Sequence, residues 1–151
     1  MKSLVHYIQE KLIIKKSNNY KYFPETKKEL KDIIKQRIKQ DGNEVDLNDI
    51  DVSKITDMSS LFEETYFNGN ISEWDVSKVT NIGGMFYKCK SFNQDISNWD
   101  VSKVTNMRAI FYLCKLFDQD ISGWNVSKVT DIGYIFNICP IEEKYKPKFS
   151  V

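Results

Sequence analysis

Three cysteines recur at a fixed step: Cys89, Cys114 and Cys139 stand 25 residues apart. Regularly spaced thiols could bind a metal or form a redox pair. Metal sites, however, gather ligands at short spacings such as C-x-x-C. No such spacing occurs here, and an earlier copy holds Thr65 in the cysteine slot. A column of buried small side chains is the simpler reading. An odd cysteine count also speaks against a disulfide framework. His6 is the only histidine, so no Ser/His/Asp system is indicated. The acid pairs Glu63-Glu64 and Glu142-Glu143 could serve acid–base chemistry, but solvated charge accounts for them. Gly83-Gly84 alone is too little for a phosphate-cradling loop. No catalytic residue, metal site or cofactor is expected, and the chain is not expected to be an enzyme.

The elements that would position any site come from one sentence written three times. It reads Asp75-Val-Ser-Lys-Val-Thr-Asn81, Asp100-Val-Ser-Lys-Val-Thr-Asn106 and Asn125-Val-Ser-Lys-Val-Thr-Asp131, with a looser copy at Asp51-Val-Ser-Lys-Ile-Thr-Asp57. Self-similarity at this period marks stacked supersecondary units. The run Ile96-x-x-Trp99-x-Val101-x-x-Val104 predicts an extended part. Met107, Ile110, Phe111 and Cys114 fall at helical spacing and predict a helix in the same repeat. Strands paired directly would set equivalent residues about 4.8 Å apart. The Trp, Val and Phe then form apolar columns, and the Ser and Thr form polar ones.

Repetition argues against catalysis, since a catalytic site is singular. Function is better sought in two kinds of column. The first is the basic file Lys54, Lys78, Lys103 and Lys128, which could meet an acidic partner but reads first as a solvated face. The second is where the copies disagree: Ser59/Gly83/Arg108/Gly133, Ser60/Gly84/Ala109/Tyr134 and Glu63/Tyr87/Tyr112/Asn137. Tyr87, Arg108, Tyr112 and Tyr134 are residue types that anchor interfaces. They are the candidate binding residues.

Three segments follow. Residues 1–42 are expected to form an N-terminal cap, residues 43–139 a stack of about four repeats, and residues 140–151 a C-terminal cap or tail. In the first segment Thr26-x-x-Glu29 is a capping box, and Leu30, Ile33, Ile34 and Ile38 define one apolar face, predicting an amphipathic helix over 26–41. Gly42 is placed to end it. Before it, Leu4, Ile8 and Leu12 suggest a short helix, and the β-prone runs at 12–14 and 20–23 suggest a hairpin. Residues 1–42 carry eleven basic and five acidic side chains against eleven and sixteen in the remainder, while the net charge is +1. No global excess of positive charge calls for nucleic acid, which is not an expected partner. No apolar run approaches the ~20 residues that span a bilayer, and no secretion signal is seen. A cytoplasmic location is the default expectation.

Written out, the repeat Phe-Asn-Gln-Asp-Ile-Ser-Asn-Trp-Asp-Val-Ser-Lys-Val-Thr-Asn-Met at 92–107 resembles the repeat of bacterial surface proteins of the BspA-like group, related to leucine-rich repeats. The resemblance covers 43–139. It implies an α/β fold: a short right-handed leucine-rich-repeat-like solenoid with a strand and a helix in each repeat, under the N-terminal helical cap. It also implies protein binding at a cell surface or after secretion, and no catalytic residues. The expected function is a non-enzymatic protein–protein interaction module. The alternative is a polyanion or nucleic-acid binder using the basic helix and the Lys column. End-to-end self-association is a further expectation, because open stack ends recruit other chains.

Overall fold

The computed structural model of the chain describes residues 3–6, 8 and 19–150. Leu4, Val5, His6 and Ile8 are helical and exposed. Leu12 and most of the expected hairpin, residues 9–18, lie outside the described residues. Beyond them, Tyr22 forms an isolated parallel bridge with Ile50.

Helix α1 spans Lys27–Asp41. Thr26 starts it by accepting the Glu29 N–H on Oγ1 at 3.2 Å, while Glu29 Oε2 accepts the Glu25 N–H at 2.7 Å, satisfying donors that a helix start leaves unpaired. Gly42 ends it with φ +88°, a value that favours glycine. Leu30 and Ile34 are buried against the first repeat, with Ile33 and Ile38 partly so. Arg37 ties the far end of α1 to Asp49 at 2.9 Å, and Lys27 ties the near end to Ser59 Oγ at 2.5 Å.

The repeats contain neither the expected strand nor the expected helix. Their only parallel pairing among the described residues is a line of single bridges, Asp57–Asn81–Asn106–Asp131. The α/β solenoid with a strand and a helix per repeat is therefore corrected: each repeat is a run of turns. The reason is visible in the hydrogen bonds. The three-residue steps of the Ile-x-x-Trp-x-Val-x-x-Val run close as turns, with Trp99 N–H on the Ile96 carbonyl at 3.2 Å and Val104 N–H on Val101 at 2.9 Å. Asp100 Oδ1 accepts from Ser102 N–H at 3.0 Å, an Asx-turn that bends the chain between them.

The segment expected to be helical is a ribbon of successive turns. Four such ribbons cover 57–64, 81–88, 106–113 and 131–138. Each has positive φ at its fourth and eighth residues: Ser60 and Glu64, Gly84 and Lys88, Ala109 and Leu113, Tyr134 and Ile138. Reversing the sign of φ every fourth residue stops a right-handed helix from propagating. It also turns alternate N–H groups along the stack. Met58, Ser60, Phe62 and Glu64 donate to the carbonyls of Asn81, Gly83, Met85 and Tyr87, and the next two ribbons repeat the pattern, all at 2.7–3.1 Å.

These bonds bring equivalent side chains into file. Phe62, Phe86, Phe111 and Phe136 stack with ring centroids 5.6, 5.7 and 6.0 Å apart. Phe67, Phe92 and Phe117 form a second file at 6.2 and 5.8 Å. Trp99 and Trp124 lie 6.4 Å apart and nearly parallel. Each Trp indole N–H reaches a carbonyl of the preceding repeat: Leu47, Ile71 and Ile96 at 2.9, 3.1 and 3.1 Å. The backbone bonds between ribbons set the register in which these rings meet. After Cys139 the chain crosses the end of the stack, where the 3₁₀ turn η1, Glu143–Tyr145, carries the carbonyl that accepts the Ile121 N–H at 3.0 Å.

Phe111 is fully buried between Phe86, Phe117 and Phe136. Phe111→Ala is expected to destabilise the chain by about 3–5 kcal/mol in urea unfolding. Leu116→Ala, at a residue 56% exposed, should stay within about 0.5 kcal/mol. Equal effects would mean that the aromatic file is not the core.

Candidate functional site

The ribbons present their variable positions as a ledge. Tyr87 and Tyr112, both at the seventh position, stack with centroids 5.1 Å apart and planes within 9°. Tyr134, at the fourth position of the next ribbon, meets Tyr112 edge-on at 6.4 Å. Arg108 lies over the Tyr134 ring at 5.2 Å and reaches Asp131 at 3.7 Å. Four of the sequence-predicted residues thus form one contiguous surface. Backbone geometry puts them there: the ribbons repeat in register, so seventh positions fall above one another.

Sequence reasoning missed the ledge's charged edge. Lys88 sits over the Tyr87 ring at 5.0 Å and bonds Glu64 at 2.8 Å. The Lys88 hydrogen bond holds the Glu64 carboxyl below its usual range, and the Glu64 hydrogen bond raises the Lys88 ammonium. Glu64, Lys88, Leu113 and Ile138 share the eighth position. Their disagreement is the same signal that exposed the other columns.

The Lys column is arranged differently. Lys54 is paired with Glu25 at 2.6 Å. Lys78, Lys103 and Lys128 are exposed, and no ion pair joins them among the described residues. Their neighbouring acids are engaged elsewhere: Asp75 and Asp100 accept the Ser77 and Ser102 hydroxyls at 2.6 and 2.5 Å. Nothing connects this column to the tyrosines.

The residues that could do chemistry are occupied structurally. Cys89 and Cys114 are buried and Cys139 half-buried, all as free thiols. Each donates to a carbonyl: Phe67 at 3.3 Å, Phe86 at 2.8 Å and Phe117 at 3.5 Å. Burial pushes all three thiols up, away from the reactive thiolate. Thr65, in the first copy, takes the cysteine's place and meets Cys89 at 3.4 Å. Among the described residues no group of three His, Cys, Asp or Glu could hold a metal. Glu63 is exposed, while Glu142 and Glu143 pair with Lys144 and Lys146 at 2.9 and 2.7 Å. A hollow of about 590 Å³ is an acidic surface concavity lined by Tyr20, Asp51, Glu73, Asp75 and Asp100. No described helix is long and apolar enough to cross a membrane.

Fold and ledge together define a capped stack of turn-built repeats with an aromatic outer surface. The chain belongs to the family described as Mycoplasma protein of unknown function, DUF285, whose model matches residues 28–146. This corrects the expected membership of the BspA-like group. No BspA-like or leucine-rich-repeat family matches, and the leucine-rich-repeat and solenoid descriptions fall with it. No curated protein and no solved structure matches significantly.

Thiol chemistry checks the cysteine column. With a water-soluble alkylating reagent on the folded chain, Cys139 is expected to label first. Cys89 and Cys114 should label only at the rate of unfolding. Rapid labelling of Cys114 would contradict its placement in the core.

Proposed function

We propose that this chain is a non-enzymatic protein-interaction module and that its contact surface is the ledge of Tyr87, Tyr112, Arg108 and Tyr134. The stacking of Tyr87 on Tyr112 at 5.1 Å carries the reading. Two large rings held parallel on a rigid backbone present contact area with little conformational freedom left to lose on binding. Arg108 and Lys88 flank the rings with hydrogen-bond donors, and Arg and Tyr are enriched among residues that dominate binding energy. The engaged thiols and exposed, paired carboxylates leave the ledge as the best-organised surface of the described chain.

A second reading, a polyanion binder, is favoured by one observation: Lys78, Lys103 and Lys128 form an exposed file without ion pairs among the described residues. The two readings separate in one experiment. In affinity capture, Tyr87→Ala with Tyr112→Ala is expected to weaken retention of the partner at least tenfold while urea stability changes little. Unchanged retention in the double variant would remove the ledge. Retention that instead falls steeply with salt, and is lost in Lys78→Gln/Lys103→Gln/Lys128→Gln, would favour the Lys file.

A further inference from the structure

The hydrogen bonds between ribbons run one way. Residues 2, 4, 6 and 8 of each ribbon donate to carbonyls 1, 3, 5 and 7 of the next. In the fourth ribbon the corresponding donors are Ile132, Tyr134, Phe136 and Ile138, and none of these N–H groups has an acceptor among the described residues. The ribbon is nonetheless shaped to donate: Tyr134 and Ile138 hold φ +59° and +55°, the values their counterparts hold upstream. Side chains tell the same story. Met107, Ile110 and Phe111 are fully buried, whereas their counterparts Ile132, Ile135 and Phe136 are only partly covered and Ile138 is 64% exposed.

The tail covers the other half of this end. Ile141 is buried in the place of Phe117 one repeat earlier, and Glu142 N–H continues the side-chain ladder on Asp118 at 3.0 Å. The tail then walls a hollow of about 570 Å³, with Ile135 and Phe136 as floor and Lys146, Pro147 and Phe149 as side. Lys146 lies 5.4 Å from the Phe136 ring centre. Among the described residues the four donors still have no acceptor.

We infer that this end of the stack docks a polypeptide segment of the repeat's own ribbon pattern, Asn/Asp-apolar-x-x-apolar-Phe, supplied by another chain. The inference concerns a different surface from the ledge and stands or falls separately. The occupant is identified by what covers the identical surface three times within the molecule. Each time it is a ribbon whose odd-numbered carbonyls face back and whose sixth residue stacks a Phe ring at 5.6–6.0 Å. Four aligned donors and a half-covered Phe call for that same chemistry, in the manner of strand addition to an open edge. A second intact copy is the poorer fit. Its matching edge, at Asp57, Ser59, Leu61 and Glu63, is already engaged by α1, whose Lys27 bonds Ser59 Oγ at 2.5 Å and Asp57 at 3.5 Å.

The test uses the full chain, isotope-labelled for NMR, titrated with a synthetic peptide of residues 104–118 carrying Cys114→Ser. Saturable shifts, together with slowed exchange at the amides of Ile132, Tyr134, Phe136 and Ile138, are expected below about 1 mM peptide. The same peptide carrying Met107→Ala and Phe111→Ala should bind at least tenfold more weakly. Absence of shifts at those four amides, shifts confined to the tyrosine ledge, or equal binding of the two peptides would overturn the inference. So would a concentration-dependent increase in mass without peptide that protects these amides, which would make a second copy the occupant.

Discussion

The molecule depends on a hydrogen bond that leaves one repeat and lands on the next. In an α-helix the N–H groups of 110–113 would bond the carbonyls of 106–109 within the segment. Here alternate N–H groups point along the stack, at Met107, Ala109, Phe111 and Leu113, and reach the carbonyls of the fourth ribbon at 2.8–3.1 Å. This holds only because φ changes sign at the fourth and eighth positions. A non-glycine residue at such a φ costs about 1–2 kcal/mol, and seven of the eight positions are not glycine. The strain is offset by what it permits: backbone pairing without strands, and apolar columns buried between repeats.

Because all of these bonds run in one direction, the two ends differ. Among the described residues the odd-numbered carbonyls of the first ribbon accept no backbone bond from another repeat, and the even-numbered N–H groups of the fourth have no acceptor. Other bonds run the opposite way at the Thr column, where Thr80, Thr105 and Thr130 donate to the preceding Thr carbonyl at 2.8–2.9 Å. Rigidity of this frame is what makes the outer positions useful. Tyr87 and Tyr112 meet because their backbones are fixed in register, not because either ring is buried.

The repeat period and the identity of the columns were legible in the sequence, since Trp74, Trp99 and Trp124 or Phe86 and Phe111 return at the same step. The local conformation was not. Spacings of three, one and three at Met107, Ile110, Phe111 and Cys114 suit a helix and a ribbon of turns equally, and only φ separates them. Gly84 is the single residue that hints at positive φ. Ser60, Glu64, Lys88, Ala109, Leu113, Tyr134 and Ile138 give no sign of it. The Ile-x-x-Trp-x-Val-x-x-Val run read as a strand because its middle step is two, while its outer steps of three are turns. The tyrosine ledge was found because the copies disagree there. Lys88 and Glu64 join the ledge only through contacts between ribbons, Lys88 over the Tyr87 ring and on Glu64, which residue types at the eighth position do not signal. Start signals at Thr26 and Glu29, by contrast, act through local hydrogen bonds and need no tertiary context.

Amide hydrogen exchange tests the inter-repeat bond most directly. Met58, Ser60, Phe62 and Glu64, with their counterparts in the second and third ribbons, should exchange only with global unfolding. Ile132, Tyr134, Phe136 and Ile138 should exchange orders of magnitude faster. Uniform protection across 107–114 and 132–139 alike, as a helix in each repeat would give, would contradict the structure of the stack.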